Sequence, residues 1–216
     1  MFVGHIGAAL ALKTRAKDTS LASLFFAAMF IDFVWPLLIL LGIETVEIAP
    51  GYTAATPLKF VSYPYSHSLA LVVLYALVIG VAYFLIKKNR AAAIVMAAAV
   101  LSHWLLDWVS HIPDLPLFPG SDIYAGLGLW KNLAASIEVE AALFVFGIFL
   151  YARDFKFATK GRMCGFIALV IVLIALWLMP QFAPPPPSAK AVAVGALFMW
   201  LFVPWAYWVD KGNTRR

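Results

Sequence analysis

His103, Asp107 and His111 recur at intervals of four in Ser102-His103-Trp104-Leu105-Leu106-Asp107-Trp108-Val109-Ser110-His111. On a helix, residues so spaced share one face. The run that leads to them is apolar, and two imidazoles with a carboxylate are costly on a hydrophobic helix, so the set reads as a site. Three further groups stand in similar surroundings. Asp32 lies in Phe30-Ile31-Asp32-Phe33-Val34-Trp35-Pro36, His67 in Tyr63-Pro64-Tyr65-Ser66-His67-Ser68, and His5 in the apolar stretch from Met1 to Leu12. All four histidines of the chain then belong to one set. Imidazoles mixed with carboxylates suit a divalent metal: zinc first, with manganese or iron as alternatives. Candidate ligands are His5, Asp32, His67, His103 and Asp107. The competing reading of each is a polar group that fixes helix packing. Candidate catalytic residues are Asp107, which could bridge two ions, Glu140 as general base, and His111. His111 suits a substrate-phosphate contact, a ligand or a plain surface position. Glu140 is preferred to Glu138, which points about 200° away around the same helix.

The elements that must position these groups are membrane helices. Of the 216 residues 64% are hydrophobic and only 12% charged, more apolar surface than a soluble core uses. The expected fold is all-α, a polytopic helical bundle forming one domain over 1–216. Six spans are read at about 19–43, 66–87, 91–111, 132–151, 163–180 and 189–209, each near the 17–25 residues a bilayer requires. An N-terminal half-helix precedes them, buried in the protein or lying flat on the membrane surface. Residues 1–151 carry the site, and 152–216 add two apolar scaffold helices. Pro36 should kink the first span. His67 should lie in the first turn of the second. Residues 44–65 and 112–131 are long connections at one end, and Pro184–Pro187 is a stiff spacer there.

Net charge is +5, but its distribution says more than its size. Thirteen of the 16 basic residues fall at one set of helix ends, Lys13, Lys87, Arg90, Arg153 and Arg216 among them. Only Lys59, Lys131 and Lys190 lie at the other. The positive-inside rule makes the first set cytoplasmic, with the N-terminal basic segment and the C-terminus. The basic balance therefore reflects topology and gives no argument for nucleic acid. By the rise per residue, Asp32 and His103 stand about 18–20 Å from the cytoplasmic ends and Asp107 about 24 Å, in the outer half of the bilayer.

His5 near the start, Asp32 in the first span, Tyr65-Ser66-His67-Ser68 and Ser102-His103-Trp104-Leu105-Leu106-Asp107 together resemble the bacterial inner-membrane metal-dependent hydrolase family, a group that includes LexA-regulated inner-membrane proteins. Leu115-Pro116-Leu117-Phe118-Pro119 and Gly126-Leu127-Gly128-Leu129-Trp130 look like one of its subgroups. That family is distantly similar to zinc-dependent phospholipase C. The resemblance covers about residues 1–145 and rests on the order and spacing of short motifs. It implies a bacterial inner-membrane hydrolase of phosphoesters, with His5, Asp32, His67, His103 and Asp107 as ligands. Two positions depart from the pattern: Ser136 stands four before Glu140 where a His would be expected, and Ser66 replaces a usual Thr. One or two metals fit this chain better than three.

The leading expectation is thus a metal-dependent hydrolase of a lipid or lipid-linked phosphoester at the outer leaflet, with membrane lipid as its partner. A second is an accessory subunit with a structural metal or polar cluster, docked to a protein partner through helices five and six. A third is an ion or proton transporter.

Overall fold

Segments that are hydrophobic all round fold as helices that present apolar surface to their solvent, here a lipid. The structure, a computed structural model, describes residues 1–216. Its helices are α1 (Val3–Lys13), α2 (Leu21–Ala28), α3 (Phe30–Leu40), α4 (Pro64–His67), α5 (Leu69–Lys87), α6 (Arg90–Ser110), α7 (Leu133–Asp154), α8 (Lys160–Leu178), α9 (Ala189–Leu197) and α10 (Phe202–Asp210). Three short antiparallel ribbons complete it: β1 (Thr45–Ile48) with β2 (Leu58–Ser62), β3 (Leu115–Pro116) with β4 (Tyr124–Ala125), and β5 (Phe155–Lys156) with β6 (Thr214–Arg215). The all-α expectation holds. Five segments are long and apolar enough to cross a membrane: α5, α6, α7, the α8 segment to Gln181, and α9 with α10. The bent pair α2–α3 would make a sixth. Leu77, Ile86, Ile94, Phe146 and Ile171 stand exposed on these helices, as lipid-facing side chains do.

α1 is the axis of the bundle. It packs along α7 and against α2 and α6, with Val3, Ile6, Ala9 and Leu10 buried. The half-helix therefore lies inside the protein and not flat on its surface. Gly7 and Gly147 make the approach possible. A Cβ on Gly147 would fall on the Gly7 carbonyl, and one on Gly7 would stand 2.5 Å from the Leu143 carbonyl oxygen. Small residues let membrane helices meet backbone to backbone in this way. Gly147→Ala should therefore destabilise by about 1–3 kcal/mol, the usual range for overpacking. Gly195→Ala is the control, because a Cβ there meets nothing within 4 Å. Thermal unfolding of the two variants in detergent checks the difference.

Several boundaries depart from expectation, and each departure shapes the site. The first span bends by 51° between α2 and α3. The break is at Met29 (φ −101°, ψ 4°), while Pro36 sits inside α3. The second span is broken at Ser68, whose backbone is extended, so His67 closes the one-turn helix α4 and does not open the span. α6 ends at Ser110, and His111 is extended beyond it (φ −63°, ψ 148°). His111 caps the helix: its amide still bonds the Asp107 carbonyl at 2.7 Å, and the chain turns away only after it. The connection after α3 is partly ordered as the β1–β2 hairpin.

Lys13 also differs from a surface charge. It is 4% exposed, and its ammonium donates to the carbonyls of Thr19 (2.6 Å) and Lys17 (3.0 Å) and pairs with Asp210 at 3.0 Å.

Candidate metal centre

Each break in the helices supplies one wall of a buried polar centre. At the Met29 break the Ala28 carbonyl accepts a 2.7 Å hydrogen bond from His103 Nδ1. That bond places the Nδ1 proton and leaves Nε2 free to face the centre. His103 Nε2 is buried without a hydrogen-bond partner, yet it lies 3.1 Å from Asp107 Oδ2 and 3.6 Å from Asp32 Oδ1. At the α4–α5 break, His67 Nε2 stands 3.7 Å from Asp32 Oδ1 and 3.8 Å from Asp107 Oδ2. A ring lone pair facing carboxylate oxygens is repulsive, and either a proton or a metal cation between them relieves it.

The donor spacing fits such a cation. Zinc at 2.0–2.1 Å from four tetrahedral ligands holds them about 3.3–3.4 Å apart. The four His–Asp separations here run from 3.1 to 3.8 Å. Asp32, His67 and His103 each offer one atom within 4.8 Å of the others, as do His5, His103 and Asp107. The residues present therefore suit a divalent ion, in two trios that share His103.

His5 is brought to the same place but in another manner. Its ring stacks on His103, centroids 3.7 Å apart and 4° from parallel. Its Nε2 meets the other oxygen of Asp107, Oδ1, at 3.1 Å, beside the Met1 amine at 2.6 Å. In this arrangement His5 orients Asp107 from behind. The five expected ligands thus converge in two trios that share His103, with the His5 ring stacked on His103.

The expected catalytic groups also line the same cavity. His111 is buried, its ring tilted 41° against Trp130 with centroids 4.0 Å apart. Its Nδ1 donates to Asp114 Oδ1 at 2.9 Å, and the Tyr63 hydroxyl donates to the same oxygen at 2.7 Å. Burial and the adjacent Asp114 push the Tyr63 phenol well above its ordinary range, so it stays a donor. With Nδ1 engaged, Nε2 of His111 is the nitrogen left for the cavity. Its position is fixed by the Gly126-Leu127-Gly128 loop. The amides of Leu127 and Gly128 donate 2.7 Å bonds to the carbonyls of Trp108 and His111, capping the end of α6. Gly126 (φ +153°) passes so close that a Cβ would fall on the Ile112 carbonyl.

Glu140 is buried and Glu138 exposed. Glu140 is largely committed elsewhere, however. Its Oε2 accepts the Phe2 amide at 2.8 Å and the Gly4 amide at 3.3 Å, the orphan donors of the α1 N-terminus. Ser136 bonds the carbonyls of Leu129 and Asn132 and offers nothing to the centre.

The cavity holds about 420 Å³, within the range of small-molecule sites. Asp32, His67, Asp107, His111 and Glu140 line one part of it. Leu133, Leu176, Trp177, Val192 and Met199 line the rest. The last two spans are therefore cavity wall as well as scaffold. Sequence reasoning overlooked Glu44, Tyr63 and Asp114, polar groups in or beside loops that carried no periodic signal.

Comparison with protein-family models, with curated proteins and with solved structures finds no match for this chain.

Proposed function

We propose that this chain is a membrane-embedded, metal-dependent hydrolase acting on a lipid or lipid-linked phosphoester. One observation carries the reading: the Nε2 atoms of two imidazoles, His103 with its Nδ1 on the Ala28 carbonyl, converge on two carboxylates at metal-ligand spacing, at the wall of a cavity whose other lining is mainly apolar. A bound zinc or manganese ion would acidify water and stabilise phosphoryl oxygens. His67, His103, Asp32 and Asp107 would hold that ion, and His5 would keep Asp107 turned toward it. His111, steadied by Asp114, has Nε2 as its unprotonated nitrogen, which can take a proton from the attacking water as that oxygen bonds phosphorus and return it to the departing oxygen as the P–O bond breaks. Glu140, with one oxygen on the α1 amides, serves mainly to fix α1 and the polar wall. The apolar remainder of the cavity suits the hydrocarbon part of an amphiphile. The basic helix ends lie away from the site, which favours a site at the outer leaflet; a bacterial inner membrane is what the family resemblance implies.

The test is turnover. Zinc- or manganese-loaded protein in detergent should release product from a phospholipid or a generic phosphodiester, and His111→Gln should lower the rate by about 10²-fold or more, the usual worth of a general acid or base. No cleavage of either, while a known phosphodiesterase works in the same detergent, would count against the reading. The second reading is a non-catalytic polar cluster in an accessory subunit. It is favoured by the His5–Asp107 bond, which satisfies part of the cluster without any ion.

A further inference from the structure

We infer that Glu44 is a positioning residue that sets the proton of His67 through Ser66, making its Nε2 a ligand. The inference rests on the metal-site reading above. Glu44 lies just after α3, where the sequence reads as a loop, yet it is only 2% exposed. Its Oε1 accepts the amides of Tyr65 and Ser66, both at 2.8 Å. Its Oε2 takes the Ser66 hydroxyl at 2.6 Å, and the same hydroxyl oxygen is 2.7 Å from His67 Nδ1.

The direction of this chain is forced. An ionised carboxylate only accepts, so Ser66 must donate its one hydroxyl proton to Glu44. Ser66 is then left with lone pairs toward His67, and Nδ1 must carry the ring proton. In the neutral ring Nε2 is therefore unprotonated, and Nε2 is the atom facing Asp32 and Asp107. A carboxylate outside the centre thus fixes a ligand inside it. His103 gets the same treatment from the Ala28 carbonyl, so both imidazoles are set alike by different means. Partners of this kind, which hold a metal-binding histidine from behind, typically contribute 10–100-fold in affinity.

Two substitutions separate this role from simple packing. In Glu44→Gln the amide oxygen still accepts the Tyr65 and Ser66 amides. Its NH₂ group, however, can donate to Ser66, which reverses the chain and moves the His67 proton to Nε2. Ser66→Ala removes the bridge and leaves the Glu44–amide bonds in place. Ser66→Thr restores a hydroxyl. The measurement is titration of detergent-solubilised full chain with cobalt(II), read by its visible absorption and by zinc competition, with thermal unfolding of each apo variant alongside. Glu44→Gln and Ser66→Ala should weaken binding by roughly 10–100-fold while the apo proteins melt close to wild type, and Ser66→Thr should bind as wild type does. Wild-type affinity in both Glu44→Gln and Ser66→Ala would overturn the inference and leave the metal site standing. So would loss of binding in all three variants with collapse of their melting transitions, which would make Glu44 purely structural. No binding by the wild-type chain would overturn the metal site and this inference together.

Discussion

His103→Ala combined with Asp107→Ala should leave the purified protein without bound zinc, manganese or iron, while the wild type retains about one equivalent in elemental analysis, the count that four converging donors suit. The double substitution removes one imidazole and the carboxylate that faces both His67 and His103. The two ligands left, His67 and Asp32, do not close a tetrahedral shell. Three controls sharpen the result. Glu138→Gln alters an exposed residue and should change nothing. His111→Gln should keep the metal, because its ring is held by Asp114 on the cavity wall. His5→Gln should weaken binding by about 10–100-fold, the worth of a group that orients a ligand from behind. Complete loss in His5→Gln would instead make His5 a ligand, as the family resemblance implies. A wild type without metal, even after reconstitution, would leave the cluster as a packing device.

Much of this centre was legible in the sequence, and the reason is cost. Ionisable groups are so unfavourable in apolar helices that His103, Asp107 and Asp32 stand out without any structural knowledge. His67 and His5 could be added because the chain holds only four histidines. Legibility ended where the chain leaves helical periodicity. The i, i+4, i+8 pattern gave His111 its place beside Asp107 but not its partner: α6 stops at Ser110, and the chain beyond it brings Asp114 to the His111 ring. Pro36 drew attention as the kink, yet the bend at Met29 is the one that gives His103 its carbonyl. A kink at Met29 has no residue signature, since its cause is tertiary: α2 packs on α1, α6 and α10, while α3 leans on α9. Glu44 was invisible for a related reason. An acid in a Gly- and Pro-bearing connection reads as solvated, and only the return of the chain through β2 to α4 buries it against Ser66.

Asp210→Leu should be the most destabilising single change far from the site, and it should also reach the metal. Asp210 accepts two hydrogen bonds, from the Tyr151 hydroxyl and the Leu21 amide, both at 2.9 Å, and forms an ion pair with Lys13 at 3.0 Å. Its loss leaves a nearly buried ammonium, a buried phenol and a helix N-terminal amide short of a partner. Breaking one side of a buried ion pair costs about 3–5 kcal/mol, which in a chain of this size is a fall in melting temperature on the order of 10 °C. Lys13→Met with Asp210→Leu should recover part of that loss, because no unpaired charge remains. The link to the site runs along α1. Glu140 holds its first amides and Asp210 holds Lys13 in its last turn, so the helix is fixed at both ends. Between them His5 lies about 12 Å along the axis from Lys13 at 1.5 Å per residue. With the Lys13 end released, His5 should no longer keep its place on Asp107 Oδ1. Cobalt titration of Asp210→Leu should therefore show weaker binding although no ligand has been changed, and the Lys13→Met, Asp210→Leu pair should show the same weakening despite its better stability. Wild-type affinity in the pair would mean that the Glu140 bonds and the Gly7–Gly147 contact suffice to position α1, with the Lys13–Asp210 pair contributing only to stability.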